Sequence, residues 1–330
     1  MEISIIPYSP AFRNQWDEAV RQARQASFLF ERDFMDYHSD RFTDTSLMFT
    51  DSRGHIQALF PACIHPSDAT RIESHAGLTY GGLLLLPTAT TAVVGQFFDR
   101  MKVYYQARGF KQIGYKPVPH IYHTYPAEED LYWLVRNGAA LQSRAVSSVI
   151  DLRNPLPFSQ LRSRKVRKAE RLGFLQISDT MHHLPVFWHL LDSVLVQRHG
   201  THPVHSLSEL ELLARRFPQC IKLLTVQAPS GTVGSHTPSV CLAGCLLFVM
   251  PRVVHVQYIA ASNEGCAVGA LDWLFARLAA ILQPEAQQRP YLDFGISTEQ
   301  HGRLLNEGLI FQKEGFGARA VCYDAYTFNL

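Results

Sequence analysis

The stretch VVHVQYIAASNEGCAVGALDWLFARL, residues 253–278, decides the predicted fold. It consists of an apolar strand, a short turn that contains two glycines, and an amphipathic helix. Such a turn points free backbone N–H groups and the positive end of the helix dipole at one spot, which suits a pyrophosphate or carboxylate. Asn263, Gly265 and Gly269 are therefore candidate ligands of a phosphate group. Alternatively, the two glycines serve only a tight turn and close packing.

The segments on either side of this stretch predict two lobes of mixed secondary structure. The second half alternates strands and helices around one mixed sheet, and the first half shows a similar order of helix, paired strands, helix and strand. Asn154-Pro155-Leu156-Pro157 is the predicted hinge, because proline fixes φ and keeps the preceding residue out of a helix. We therefore predict an α/β (α+β) protein with lobes at residues 1–153 and 154–330.

Composition excludes several classes of protein. With 47% apolar and 18% charged residues the chain is globular, and a net charge of +2 gives no general attraction to nucleic acid. No apolar run approaches the roughly 20 residues that cross a bilayer, and the N-terminus MEISIIPYSP lacks the pattern of a secretory signal. We expect a cytoplasmic protein with reduced cysteines. The motifs HExxH, GxSxG, Walker A and GxGxxG are absent, so no metal site is expected and hydrolase, kinase and Rossmann functions are disfavoured.

A basic helix is predicted directly after the hinge, in SQLRSRKVRKAER, residues 159–171. A helical wheel turns four of its six basic residues away from the apolar stripe, and a solvated face explains those four. Arg162 and Lys165 fall within the stripe, where a cation must find an anion or extend to solvent. Phosphate on a nucleotide or on tRNA is one such anion, so both residues are candidate ligands.

Two segments of the first lobe carry candidate site residues. SHAGLTYGG, residues 74–82, combines three glycines with His75 and Tyr80, whose side chains can transfer protons. A glycine-rich turn with a satisfied histidine is the alternative interpretation. KPVPHIYHTYP, residues 116–126, follows a predicted strand and adds Lys116, His120 and Tyr122 as candidate substrate contacts.

The C-terminal region contains a third set of candidates, in YLDFGISTE, residues 291–299, and NEGLIFQKEGFG, residues 306–317. Polar residues beside a glycine at a strand end often line a crevice. Asp293 and Glu299 are candidate general bases, and Ser297 and Lys313 are candidate substrate contacts. A cap for the next helix is an equally good explanation of Ser297.

Four stretches read together resemble the FemAB-like group of GNAT proteins. They are SHAGLTYGG, RSRKVRKAERLG, HVQYIAASNEGCAVGALDWLF and DFGISTEQHGRLLNEGLIFQKEGFGAR. The resemblance implies two tandem GNAT-like lobes, each a mixed, mostly antiparallel sheet flanked by helices. It also implies transfer of an acyl or aminoacyl group to an amine, without a metal or a permanently bound cofactor. The donor is acyl-CoA in ordinary GNAT proteins and aminoacyl-tRNA in some FemAB-like proteins.

The same resemblance suggests roles for individual residues. The strand at residues 255–260 would lie beside the donor, with Gln257 or Tyr258 at the acyl group and the turn at residues 263–269 around phosphate. Asp293 or Glu299 would be the base. The acceptor would be a small-molecule amine or a cell-wall precursor, with tRNA kept as an alternative partner. A GNAT-shaped module that binds without transfer is the remaining alternative.

Overall fold

The structure is a computed structural model that describes residues 2–229 and 239–330. It divides into two compact units, of which the first takes Met1–Val146, Thr298–Leu305 and Val321–Leu330, and the second Ser147–Ser297 and Asn306–Ala320. The sequence suggested two continuous lobes that meet at residues 153/154. The units instead divide within one long strand, and the last strand returns to the first unit because it pairs there.

The helices and strands of the chain as far as the long strand are β1 (Ser4–Pro7), α1 (Arg13–Gln22), α2 (Arg32–Met35), β2 (Leu47–Thr50), β3 (Ile56–Phe60), β4 (Cys63–His65), β5 (Asp68–Glu73), β6 (Leu84–Leu85), α3 (Thr91–Gln106), β7 (Gln112–Tyr115), α4 (Glu129–Arg136) and β8 (Ala140–Asp151). Those that follow are α5 (Gln160–Leu172), β9 (Gln176–Ser178), α6 (Leu184–His199), α7 (Leu207–Arg216), β10 (Ile221–Pro229), β11 (Ser239–Val249), β12 (Val253–Ala261), α8 (Asn263–Val268), α9 (Ala270–Leu282), β13 (Tyr291–Ile296), β14 (Thr298–Glu299), β15 (Leu304–Leu305), α10 (Glu307–Glu314) and β16 (Arg319–Asn329).

The first unit contains a four-stranded antiparallel sheet in the order β1-β2-β3-β6. A second sheet has the order β4-β5-β7-β16, in which β5 and β7 are parallel and the other pairs antiparallel. Helix α3 buries Val94, Phe97, Phe98, Met101 and Tyr105 in the core of this unit. Their spacing of mostly three and four residues puts them on one face of the helix, which explains why this face of α3 packs into the core.

The second unit is built on a sheet in which the end of β8 is followed by β13, β12, β11, β10 and β9. All neighbours are antiparallel except β12 and β13. Helix α9 places Ala270, Leu274, Phe275 and Leu278 in the core. The predicted α+β class, with mixed and mostly antiparallel sheets flanked by helices, is confirmed.

Within residues 2–229 and 239–330, no helix is both long enough and apolar enough to cross a bilayer.

Candidate functional site

The parallel strands β12 and β13 of the second unit separate part-way along their length. They pair from Val253 with Tyr291 to His255 with Asp293, whereas β12 continues to Ala261 and β13 to Ile296. A register shift against β11 makes Gln257 an extra residue of β12 just beyond this point. Parallel strands that separate leave a crevice at their carboxyl ends, which is where ligands of open sheets bind.

Asp293 occupies the point of separation and is fully buried. Its Oδ1 accepts hydrogen bonds from Ser147 Oγ at 2.5 Å and from the Gly295 N–H at 2.9 Å. Its Oδ2 lies 3.0 Å from Nδ1 of His255. A carboxylate held by these groups fixes the ring of His255 with the proton on Nδ1, so that Nε2 is the basic nitrogen.

Gly295 stands beside this imidazole. Its φ of +73° lies in the left-handed region, where a glycine has no steric cost. A Cβ at this position would touch Cε1 of His255 at 3.4 Å. The glycine therefore lets β13 turn sharply after Asp293 and places no side chain of its own against the ring.

Lys313 from α10 completes the cluster. Its side chain is buried, and Nζ donates hydrogen bonds of 2.8 Å to the carbonyl oxygens of Gly295 and Ile296. Burial lowers the pKa of Lys313 to about 8, against the opposing effect of the Asp293 carboxylate. The ammonium holds the end of β13 in its separated path and loses its proton above about pH 8.

Tyr258 and Gln257 follow on β12. Tyr258 Oη lies 2.6 Å from Nδ1 of His205, and the ring packs edge-on against Trp188 of α6. Burial raises the pKa of Tyr258, while a hydrogen bond with the Gln257 side chain lowers it. Tyr258 is therefore a protonated hydroxyl at neutral pH, suited to donate a hydrogen bond rather than to act as a base.

The glycines of the turn have packing reasons of their own. A Cβ on Gly265 would stand 1.9 Å from the carbonyl oxygen of Leu242, and one on Gly269 would stand 2.8 Å from the carbonyl oxygen of Lys165. Residues Asn263–Val268 form a single six-residue helix, and Asn263 is exposed. These contacts favour the packing interpretation of the glycines. The phosphate site at Asn263, Gly265 and Gly269 stays a prediction.

Arg162 and Lys165 have an anion within the protein. Arg162 is buried and donates from Nη1 to Oδ1 of Asp272 at 2.9 Å, while Lys165 Nζ lies 3.9 Å from Oδ2 of the same carboxylate. The pair joins α5 to α9. The wheel thus identified two cations that require an anion, and the structure provides it from Asp272. The remaining basic residues of α5 are exposed, as predicted: Arg164, Arg167, Lys168 and Arg171.

In the first unit, the parallel pair β5 and β7 ends at Glu73 and Gly114, which are the last residue of β5 and the last but one of β7. Here the backbone of the glycine-rich segment, residues 74–82, lies beyond the last pair. The Ser74 hydroxyl accepts a hydrogen bond from the Lys116 N–H at 2.8 Å, and the Gly81 N–H donates to the Lys116 carbonyl at 2.7 Å. Backbone of the glycine-rich segment therefore bridges the ends of β5 and β7. In the second unit, the corresponding ends of β12 and β13 stay separate.

The predicted proton-transfer residues of the first unit lie in packed surroundings. His75 is buried, has a φ of +58° and stacks on His38, and burial lowers its pKa to about 3. Tyr80 packs on Tyr122, whose hydroxyl lies 2.9 Å from that of Tyr323. His75 is therefore neutral and the tyrosines belong to an aromatic cluster.

Three predicted residues remain. His120 is exposed in a single turn of 3₁₀ helix, and Glu299 is exposed on β14 of the first unit. Ser297 of the second unit is buried, its carbonyl accepts from Asn306 N–H, and its hydroxyl has no hydrogen-bond partner among the described residues. The Ser297 hydroxyl therefore forms no hydrogen bond with the His255–Asp293 cluster, and His120 and Glu299 belong to the other unit.

Sequence reasoning missed His255 and Ser147. His255 lies within the quoted strand, but only the register of β12 on β13 shows that it faces Asp293. Ser147 comes from β8, far away in sequence. A histidine in an otherwise apolar strand was the one available signal. Over residues 2–229 and 239–330, no group of three or more His, Cys, Asp or Glu side chains is arranged to hold a metal ion.

No family model and no curated protein matches the sequence. Solved structures do match. FemX is 12% identical with a TM-score of 0.69, over 98% of this chain and 97% of FemX. A tandem GNAT protein from the clavulanic acid biosynthesis pathway is 10% identical with a TM-score of 0.54, over 99% and 98%.

The C-terminal domain of a putative lysylphosphatidylglycerol synthetase from Agrobacterium fabrum is 11% identical with a TM-score of 0.56, over 96% of this chain and 91% of that one. At these identities the likeness concerns the fold. The chain has the FemAB-like GNAT fold.

Proposed function

We propose that the protein is an N-acyltransferase that moves an acyl group from acyl-CoA to an amine, with His255 and Asp293 at the reacting centre. The observation that carries the proposal is the separation of β12 from β13 at a buried histidine–carboxylate pair. The GNAT fold supports acyl transfer in general terms. The donor, the small-molecule amine or cell-wall precursor that accepts, and a cytoplasmic location are parts of the proposal.

The chemistry assigns a task to each group of the cluster. An amine attacks the thioester carbonyl, a C–N bond forms, and Nε2 of His255 accepts the proton that the nitrogen loses. Asp293 stabilises the resulting imidazolium through Nδ1. As the C–S bond breaks, the same proton passes to the CoA sulfur. Backbone N–H groups of β12 beyond His255 would face the oxyanion, and Lys313 would hold β13 open.

Two observations favour a second donor, an aminoacyl-tRNA. The TM-score to FemX exceeds that to the tandem GNAT protein. In addition, α5 presents four exposed basic residues that can contact a phosphate backbone. The histidine–carboxylate pair can serve transfer from the thioester of acyl-CoA and from the ester of an aminoacyl-tRNA. An experiment therefore distinguishes the two donors.

The experiment incubates the protein with acetyl-CoA, longer acyl-CoAs and aminoacyl-tRNA, together with a panel of amines, and follows free thiol or released tRNA. His255→Gln should lower kcat by about 10²- to 10⁴-fold, the usual contribution of a general base. Thermal stabilisation by the donor should persist, because His255 acts on the amine.

The matched control is His189→Gln, which changes an exposed histidine of α6 in the same unit. Its turnover should equal that of the unchanged protein. Turnover by His255→Gln at the same rate as the control would contradict the assignment. Donor binding without transfer to any amine would favour a binding module instead.

A further inference from the structure

The first unit contains a cavity of about 450 Å³ that the proposed reaction does not use. Residues from β4, β5, β7, β8, β16 and the β14–β15 hairpin line it, so several elements converge on one space. Its volume falls in the range of about 300–1,000 Å³ that is typical of small-ligand sites.

The lining carries an excess of positive charge. The cavity is lined by three cationic side chains, those of Arg71, Lys116 and Arg303, and by one carboxylate, that of Glu73. Glu73 pairs with Arg71, with Oε1 2.6 Å from Nε. Among the described residues, no acidic side chain forms an ion pair with Lys116 or Arg303. The two cations are left for a ligand.

Lys116 is the more informative of the two. It follows β7, its backbone is fixed on both sides by Ser74 and Gly81, and its side chain is half-buried. Burial lowers the pKa of Lys116. The Glu73 carboxylate opposes this effect, but it forms its ion pair with Arg71. Lys116 has lost part of its hydration and is therefore stabilised by an anion that enters the cavity.

The β14–β15 hairpin brings the second cation to the cavity through a strained turn. Gln300 and His301 have φ values of +49° and +56°, followed by Gly302 at +82°. A Cβ on Gly302 would stand 2.3 Å from the carbonyl oxygen of Arg144, so the turn is packed closely on β8. Two consecutive non-glycine residues in the left-handed region of φ strain the backbone, and such strain is found mostly at functional sites. Here the turn carries His301 and Arg303 to the cavity.

The cavity also has neutral polar groups. Gln142 and Ser143 line it from β8, and Thr327 lines it from β16. Thr327 is 6% exposed, and its Oγ1 has no hydrogen-bond partner among the described residues. A buried hydroxyl without a partner is uncommon and indicates a partner that the protein alone does not supply.

We propose that this cavity binds a small molecule through its phosphate or pyrophosphate group. Lys116 and Arg303 neutralise the anion, and Gln142 and Ser143 contact the remainder of the ligand. A phosphate suits this lining better than one carboxylate does, because it offers three acceptor oxygens and up to two charges to separate cations. The site lies wholly within the first unit and goes beyond the proposed transfer reaction.

Calorimetric titration of the full chain with inorganic pyrophosphate, without any acyl donor, tests the proposal. The unchanged protein should show saturable binding at one site. Arg303→Ala and Lys116→Met should each weaken it by about 10- to 100-fold, the usual value of a charge-assisted hydrogen bond. Arg303 is exposed, so its replacement leaves the fold intact.

The matched control is Arg136→Ala, an exposed arginine at the end of α4 that does not line the cavity. It should bind pyrophosphate like the unchanged protein. No saturable binding, an equal loss in Arg136→Ala, or tighter binding of citrate than of pyrophosphate would each overturn the proposal. Asp293→Asn should keep full pyrophosphate binding, so failure of the transfer reaction leaves this result unaffected.

Discussion

Lys313 predicts a measurable dependence of stability on pH. The side chain is 5% exposed, and burial lowers its pKa from the ordinary 10.5 to about 8. Below pH 8 the folded and unfolded chains both carry the charge, so the folded state bears the cost of burying it. Between pH 8 and 10.5 the folded chain loses the proton while the unfolded chain keeps it. Stability therefore rises with pH across this window.

The magnitude follows from the two pKa values. One pKa unit corresponds to about 1.4 kcal/mol, so the full effect is about 3 kcal/mol, most of which falls between pH 7 and pH 10. Lys313→Met removes the titrating group. It also leaves the Gly295 and Ile296 carbonyls without their donor, which lowers stability by the same amount at every pH.

The assay is urea unfolding, followed by tryptophan fluorescence at several pH values from 7 to 10. The free energy of unfolding of the unchanged protein should rise by about 2–3 kcal/mol more than that of Lys313→Met. Lys168→Met, which removes an exposed ammonium of the same unit, should follow the unchanged protein. Parallel curves of unfolding free energy against pH for the unchanged protein and Lys313→Met would refute the reasoning. They would show that Lys313 has the same pKa in the folded and the unfolded chain.

Three further predictions concern packing and buried charge. Arg162→Met should lower the free energy of unfolding by about 3–5 kcal/mol in chemical denaturation, because it leaves the Asp272 carboxylate buried without its guanidinium. Gly265→Ala should destabilise by about 1–3 kcal/mol, since its Cβ would meet a backbone oxygen that cannot move away. A Cβ in Gly308→Ala on α10 would meet only Asn306 Oδ1, at an ordinary contact distance of 3.7 Å, so this variant should be neutral or stabilising in the same chemical denaturation. Asp130 has its pKa raised to about 7 by burial, so stability should fall as the pH rises from about 4 to 7, and Asp130→Asn should flatten that slope in pH-dependent melts.

Several parts of the site could be predicted from the sequence because they depend on local pattern. The strand, turn and helix at residues 253–278 follow from apolar spacing, and Asp293 and Lys313 belong to the C-terminal run that was singled out. The helical wheel also identified Arg162 and Lys165 as cations in need of an anion. That anion, Asp272, depends on how α5 packs on α9, which no local pattern reveals.

Other parts depend on strand register and long-range pairing. His255 becomes a partner of Asp293 only because β12 and β13 are parallel and end their pairing at that point. Glu299 and Asp293 were both candidate general bases from the same C-terminal run. The chain, however, passes from the second unit to the first between Ser297 and Thr298, so the two carboxylates belong to different units.

The central claim is that the acyl donor lies where β12 and β13 separate in the second unit. Hydrogen-exchange mass spectrometry, with and without the donor that supports turnover, tests it directly. The account predicts slower exchange in residues 255–262 and 293–297, and unchanged exchange in residues 73–82, where the protein's own backbone bridges the strand ends. Protection confined to residues 73–82, or absent from residues 255–262, would contradict it.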